Sequence, residues 1–243
     1  MDPLAPACWD EAPHIVGLHR KFTKAAVDQN AQANRRRTAE IRHRIKRRAN
    51  RAPCVEHVVN AGDGALAHPT QALLDVHTLR EEFESLEGRT VAIVGDVLHS
   101  RVAHSTIRGL HRLGANVVLV GPEVFLPSDY KAKDVSVERD LDGILPHVDA
   151  VILLRIQRER FAAMPLTDAD YIAGYQLNDK RLAKLRPEAI IMHPGPYNRG
   201  MELDECVLEF AGWRYAKQVM HGVYVRMAVL DLLVNGIKHA TPA

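Results

Sequence analysis

Cysteine is scarce in this 243-residue chain, and its three copies, Cys8, Cys54 and Cys206, are widely spaced and form no C-x-x-C pair. That pattern argues against a disulfide framework or a zinc ribbon and for free thiols in a reducing compartment. Long apolar runs are missing too; none approaches the ~20 residues that a membrane span needs. The opening MDPLAPACWDEAP has neither the basic start nor the apolar core of a secretory leader, so a cytoplasmic protein is expected. Aromatic residues make up 5% of the chain, and no basic surface interleaved with aromatics is legible. Glycine is absent where a dinucleotide turn would need it. After TVAIVGD the chain continues VLHSRVAHS, which lacks the G-x-G-x-x-G pattern, and no G-x-x-x-x-G-K-[ST] occurs anywhere.

Net charge is also small, formally +2, but it is unevenly distributed. Residues 20–51 hold twelve Lys/Arg against Asp28 and Glu40, a balance of +10, whereas residues 52–243 carry −5. A basic arm therefore precedes a mildly acidic body. Within the arm, NRRRTAEIRHRIKRRANR offers only Ile41 and Ile45 as an apolar stripe, too narrow to dock firmly on a core.

Past the boundary near Pro53–Glu56 the pattern becomes α/β. His57–Asn60 is a short strand candidate running into the loop AGDGALA. Pro69, at a favourable first-turn position, opens a helix whose Leu73, Val76, Leu79 and Phe83 recur at helical spacing. Strands are expected at Thr90–Gly95, Asn116–Gly121, Asp149–Leu154 and Ala189–His193. Helices are expected over VAHSTIRGLHRLG, closed by Gly114, at Leu141–Leu145 and Asp179–Leu185, and over Gln218–Leu233. Short apolar strands alternating with amphipathic helices predict a doubly wound parallel sheet flanked by helices, with ligands bound beyond the carboxyl ends of the strands.

Three loops fall at those ends: GDVLHSR, RIQRER and HPGPYNRG. Arg101 follows the first. Arg155 and Gln157, two apart in extended chain, point the same way, while Arg158 and Arg160 face elsewhere. Guanidinium groups grip carboxylates through a two-pronged fork, so Arg101 and Arg155 suit a small dicarboxylate; the alternative is a pair of surface arginines. His68 stands at a helix N-terminus, where anions are favoured, and a neutral imidazole there can donate to a developing oxyanion; alternatively it caps the helix. Gln71, one turn on, can bond an amide-like NH₂. In HPGPYNRG, His193 packs under its loop or the Pro194-Gly195-Pro196 run offers backbone carbonyls. No metal site and no cofactor is read from these residues.

VVNAGDGALAHPTQALLDVHTLRE, VAIVGD with SRVAHS, LLRIQRER, MHPGPYNRG and HGVYVRMAVLDLL follow one another in the order found in aspartate carbamoyltransferases, and over about 180 residues the chain resembles that family. RIQRER and HPGPYNRG fit the aspartate branch better than the ornithine branch. The resemblance implies the family's aspartate-binding α/β domain at residues 57–235, preceded by a basic segment at 1–56 unlike the family and followed by a tail at 236–243. It implies that His68 and Gln71 contact carbamoyl phosphate, with His68 polarising the carbonyl. By the same resemblance Arg101, Arg155 and Gln157 are expected to hold the carboxylates of L-aspartate, and the backbone of Pro194 and Gly195 to touch the substrates. A homo-oligomer, a trimer by resemblance, is implied, with no membrane partner. The family's S-T-R-T-R phosphate segment does not occur here, so a chain impaired on its own is expected. Without that half, Leu73, Val76, Val223 and Met227 are expected to lack part of their cover. A non-catalytic homologue acting as an assembly or regulatory partner is the alternative. Nucleic-acid binding through the basic arm, which would show steep salt dependence, is a weaker reading.

Overall fold

The computed structural model describes residues 59–62, 66–127, 134–157 and 166–235. The expectations for the basic arm, for His57 and Val58, for Arg158 and Arg160, and for the tail lie outside the described residues. Val59 and Asn60 are not in a strand; the Asn60 side chain instead accepts a hydrogen bond from Gly62 N–H at 2.9 Å, closing a local turn.

Five parallel strands form one sheet: β1 (Thr90–Val94), β2 (Asn116–Val120), β3 (Val135–Glu138), β4 (Ala150–Leu153) and β5 (Ile190–Met192), in the order β3-β2-β1-β4-β5. The helices are α1 (Pro69–Phe83), α2 (Arg101–Arg112), α3 (Leu141–Ile144), α4 (Asp168–Tyr175), α5 (Asp179–Leu182) and α6 (Tyr215–Asn235). The chain winds outward from β1 through β2 to β3, then returns past β1 to β4 and β5. The direction reverses between β1 and β4, and a crevice at that point is where such sheets bind ligands.

Parallel strands are covered on both faces, so they read as unbroken apolar runs. All residues of β4 and β5, and all but the first of β1 and β2, are buried. On one face Ala92, Val94, Val118, Val120, Val151 and Leu153 pack with Leu141, Leu145, Leu177, Leu203 and Val207. Burying each such leucine contributes ~1.5–3 kcal/mol.

Apart from the strand candidate at His57–Asn60, the expected elements are present, with ends shifted by a few residues. The helix at Leu141 gives way to a 3-10 turn at Leu145–His147, where Pro146 removes a backbone donor. The edge strand β3 and helix α4 had no counterpart in the pattern. Asn60–Tyr224 forms one compact unit; α6 from Val225 onward is a separate unit. Val76 is fully buried, against the expectation of lost cover, because it points into the interior of its own unit. Val223 and Met227 are 56% and 48% exposed and share a helical stripe with Val219, Leu230 and Val234. Among the described residues no helix is long and apolar enough to cross a membrane.

Candidate functional site

At the end of β1, Gly95 has φ +121°, and a Cβ there would lie 3.2 Å from both Leu154 O and Tyr171 Oη. Only glycine lets this corner pass so close to the end of β4. Asp96, buried, accepts a hydrogen bond from His99 N–H at 3.1 Å, and Ser100 then caps α2 by accepting from Ala103 N–H at 3.1 Å. Arg101 is thereby the first residue of α2. Its guanidinium lies over Gly62, where a Cβ would approach Nη1 to 2.8 Å. The strand-end arginine is thus in contact with Gly62.

His68 precedes α1 as its N-cap residue but makes no side-chain capping bond. Its backbone N–H donates to Ser105 Oγ at 2.9 Å, tying α1 to α2, and its Nδ1 lies 3.5 Å from Thr70 Oγ1. Gln71 is buried and donates from Nε2 to Asp75 Oδ1 at 2.9 Å. A carboxylate only accepts here, so the contact fixes the amide orientation and leaves Gln71 Oε1 as an acceptor for a ligand N–H.

Asp75 is fully buried and also accepts from Thr106 Oγ1 at 3.2 Å and Gln218 Nε2 at 2.9 Å. Gln218 Oε1 in turn accepts from His193 N–H at 2.9 Å. Side chains from α1 and α6 therefore hold the loop after β5 in register with Gln71.

His193 Nδ1 accepts from Gly195 N–H at 2.9 Å, so the neutral ring carries its proton on Nε2. Burial, and secondarily the nearby Arg155 charge, pushes the His193 pKa down to about 3. His193 packs under its loop, one of the two readings open from the sequence. Pro194 and Gly195 are half-buried, and Gly195 has φ +68°. A Cβ on Gly195 would come within 2.9 Å of Tyr215 Oη.

The loops after β4 and β5 are bolted together by Glu202, which is fully buried. Its Oε1 accepts from Ile156 N–H at 2.8 Å and from Asn198 Nδ2 at 3.0 Å, and its Oε2 from Asn198 N–H at 3.0 Å. Burial raises its pKa despite these donors. Arg155 is half-buried beside an open depression of about 360 Å³ that Asp168, Ile172, Asn198, Arg199 and Met201 also line. Gln157, half-buried, lies outside that lining.

Of the residues singled out from sequence, the fold joins Gln71, Arg155 and Pro194–Gly195 through Asp75, Gln218, His193 and Glu202, and places His68 and Arg101 at adjoining helix starts. None of the joining groups except His193 was legible as such. Gln71–Asp75 and Asn198–Glu202 carry a four-residue spacing as a faint signal; Gln218 carries none.

Residues 87–233 match the family model described as aspartate/ornithine carbamoyltransferase, Asp/Orn binding domain. The chain belongs to the aspartate/ornithine carbamoyltransferase family, a family of transferases. It is 51% identical over 180 residues to the aspartate carbamoyltransferase catalytic subunit of Acidothermus cellulolyticus, covering 74% of this chain and 56% of that one. To the same subunit of Mycobacterium sp. (strain JLS) it is 50% identical over 188 residues, covering 76% of this chain and 60% of that one. Aspartate transcarbamoylase from Trypanosoma cruzi, in complex with carbamoyl aspartate and phosphate, superimposes with a TM-score of 0.63 at 33% identity, over 70% of this chain and 57% of that one. Ornithine carbamoyltransferase from Pyrococcus furiosus gives 0.64 at 26% identity, over 72% and 58%. The chain thus spans little more than half the length of these relatives.

Proposed function

We propose that this carbamoyltransferase chain supplies the aspartate-binding half of an aspartate carbamoyltransferase site. Arg101, Arg155 and Gln157 hold the two carboxylates of L-aspartate. His68 and Gln71 meet carbamoyl phosphate, and the Pro194–Gly195 backbone contacts the substrates. In the reaction the aspartate α-amine forms a bond to the carbamoyl carbon. The C–O bond to phosphate breaks, phosphate leaves with the electron pair, and the amine gives up a proton. His68, donating to the carbonyl oxygen, stabilises the charge that develops there, and Gln71 Oε1 accepts from the carbamoyl NH₂. Such a step needs orientation and oxyanion stabilisation rather than a covalent nucleophile.

The observation that carries this reading is that Glu202 ties the backbone of Ile156, next to Arg155, to Asn198 in the MHPGPYNRG loop, beside an open depression that Arg155 lines. The aspartate branch of the family is favoured by the identity of about half to catalytic subunits of that name. By family resemblance this chain acts in a homo-oligomer, a trimer, and without the S-T-R-T-R phosphate segment it is impaired alone. The setting is the cytoplasm and the product serves pyrimidine synthesis.

The test is NMR titration with succinate, a dicarboxylate that lacks the reactive amine. Millimolar binding, about −4 kcal/mol, is expected for the wild-type chain. Arg155→Ala should remove ~1.5–3 kcal/mol of charge-assisted bonding and abolish the response. Arg108→Ala, on the exposed side of α2, should leave it unchanged. Identical titrations for wild type and Arg155→Ala would show that the clamp is misassigned.

A further inference from the structure

Away from the proposed substrate site, α1 and the first turns of α6 face each other with three metal-competent side chains. His77 and Glu81 stand one turn apart on α1, and His221 reaches them from α6; their ligand atoms all lie within 4.8 Å of one another. Glu81 Oε2 is 3.1 Å from His221 Nε2 and Glu81 Oε1 is 3.7 Å from His77 Nε2. The two rings meet edge-on with centroids 4.6 Å apart. Both imidazoles are buried, and the Glu81 side chain is 39% exposed, so the cluster opens to solvent on its carboxylate side.

Hydrogen bonding fixes which nitrogen of His221 is available. Thr78 Oγ1 donates its single proton to Leu74 O at 2.8 Å. Toward His221 Nδ1, also at 2.8 Å, the hydroxyl therefore accepts, and Nδ1 carries the ring proton. In the neutral ring Nε2 then presents a lone pair, and it presents it to a carboxylate oxygen. Two lone pairs facing at 3.1 Å are reconciled either by a second ring proton, on Nε2, or by a cation that both atoms ligate. A histidine whose far nitrogen is anchored by a protein acceptor is the arrangement that metal-ligating imidazoles adopt.

We propose that His77, Glu81 and His221 bind a divalent transition-metal ion of the zinc class, which staples α1 to α6. Two imidazoles and one carboxylate suit a borderline-soft ion, with water completing the shell on the exposed side. Bonds of ~2.0–2.2 Å in a tetrahedral shell set ligand atoms ~3.3–3.6 Å apart; the ligand atoms here lie within 4.8 Å of one another, and the 3.1 and 3.7 Å contacts run to the two different Glu81 oxygens, so the half-exposed carboxylate must turn to close the shell. Burial lowers the pKa of both histidines, against the opposing pull of the Glu81 carboxylate. Lys217 opposes the ion, because its Nζ lies 2.8 Å from Glu81 Oε2; it lies equally close to Glu82 Oε1 and keeps that partner when it yields. The staple would stiffen the pair of helices that carries Gln71 and Gln218. It stands independently of the substrate assignment.

Zinc titration of the full 243-residue chain, with cobalt substituted as a spectroscopic probe, tests the site. One ion per chain is expected, with the intense visible absorption of tetrahedral cobalt, and excess magnesium should not compete. His77→Phe and Glu81→Gln preserve shape and should each weaken zinc by more than ~10-fold, while Thr78→Val, which removes only the anchor of His221, should cost ~10–100-fold. Lys217→Met should tighten binding. Near-UV circular dichroism establishes that each variant is folded. An absence of stoichiometric binding to the wild type overturns the proposal, and so does an isotherm unchanged in both His77→Phe and Glu81→Gln.

Discussion

Asp75 is a sensitive position, because one buried carboxylate orients donors from three helices. Replacing it by alanine leaves Gln71 Nε2 and Gln218 Nε2 without the acceptor that each reaches at 2.9 Å; Thr106 Oγ1, at 3.2 Å, can rotate. An orphaned buried donor costs ~1–3 kcal/mol, so two amides put Asp75→Ala at roughly 4 kcal/mol, a large part of the 5–15 kcal/mol that stabilises a typical domain. Asp75→Asn behaves differently. Its one oxygen can still accept from both amides while its NH₂ donates to Thr106, so only charge assistance is lost, ~1 kcal/mol per bond and about 2 kcal/mol together. Urea unfolding followed by circular dichroism, at unchanged m-value, reads both numbers. Asp75→Ala within ~1 kcal/mol of wild type, or the two variants equally unstable, would refute the network. In the proposed reaction, Asp75→Ala should also free the Gln71 amide to flip and weaken carbamoyl phosphate contacts.

Two further outcomes follow from the loop after β5. His193 has a folded pKa of about 3 against 6.5 unfolded, so between those values the unfolded chain binds the extra proton. Stability therefore falls as pH drops through that window, by at most ~1.4 kcal/mol per pH unit from this group. His193→Asn, whose side-chain oxygen can still accept from Gly195 N–H, should flatten the acid limb in urea titrations between pH 6 and 4; an unchanged slope would contradict this. Gly195→Ala should destabilise by ~1–3 kcal/mol, from the left-handed φ of +68° and the contact with Tyr215, and should weaken succinate binding. A variant as stable as wild type would mean that Tyr215 moves aside freely.

Much of the scaffold was legible because burial on both faces forces β1, β2, β4 and β5 to be apolar runs, and because Pro69 and Gly114 punctuate helices by their own backbone preferences. β3 escaped notice because an edge strand of four alternating residues carries almost no periodic signal. α4 escaped because only Tyr171 along it is buried. That Arg101 and Arg155 follow the carboxyl ends of β1 and β4 was legible because strand ends are visible in sequence. What the sequence could not determine is which side chains hold those arginines and loops in place. Asp75 meets Gln218 across 143 residues, Ile156 meets Glu202 across 46, and His221 meets Thr78 across 143. Local periodicity places a residue on a face of its own helix or strand, but only the packing of α1 against α6, and of the β4 loop against the β5 loop, decides which buried polar group it must satisfy.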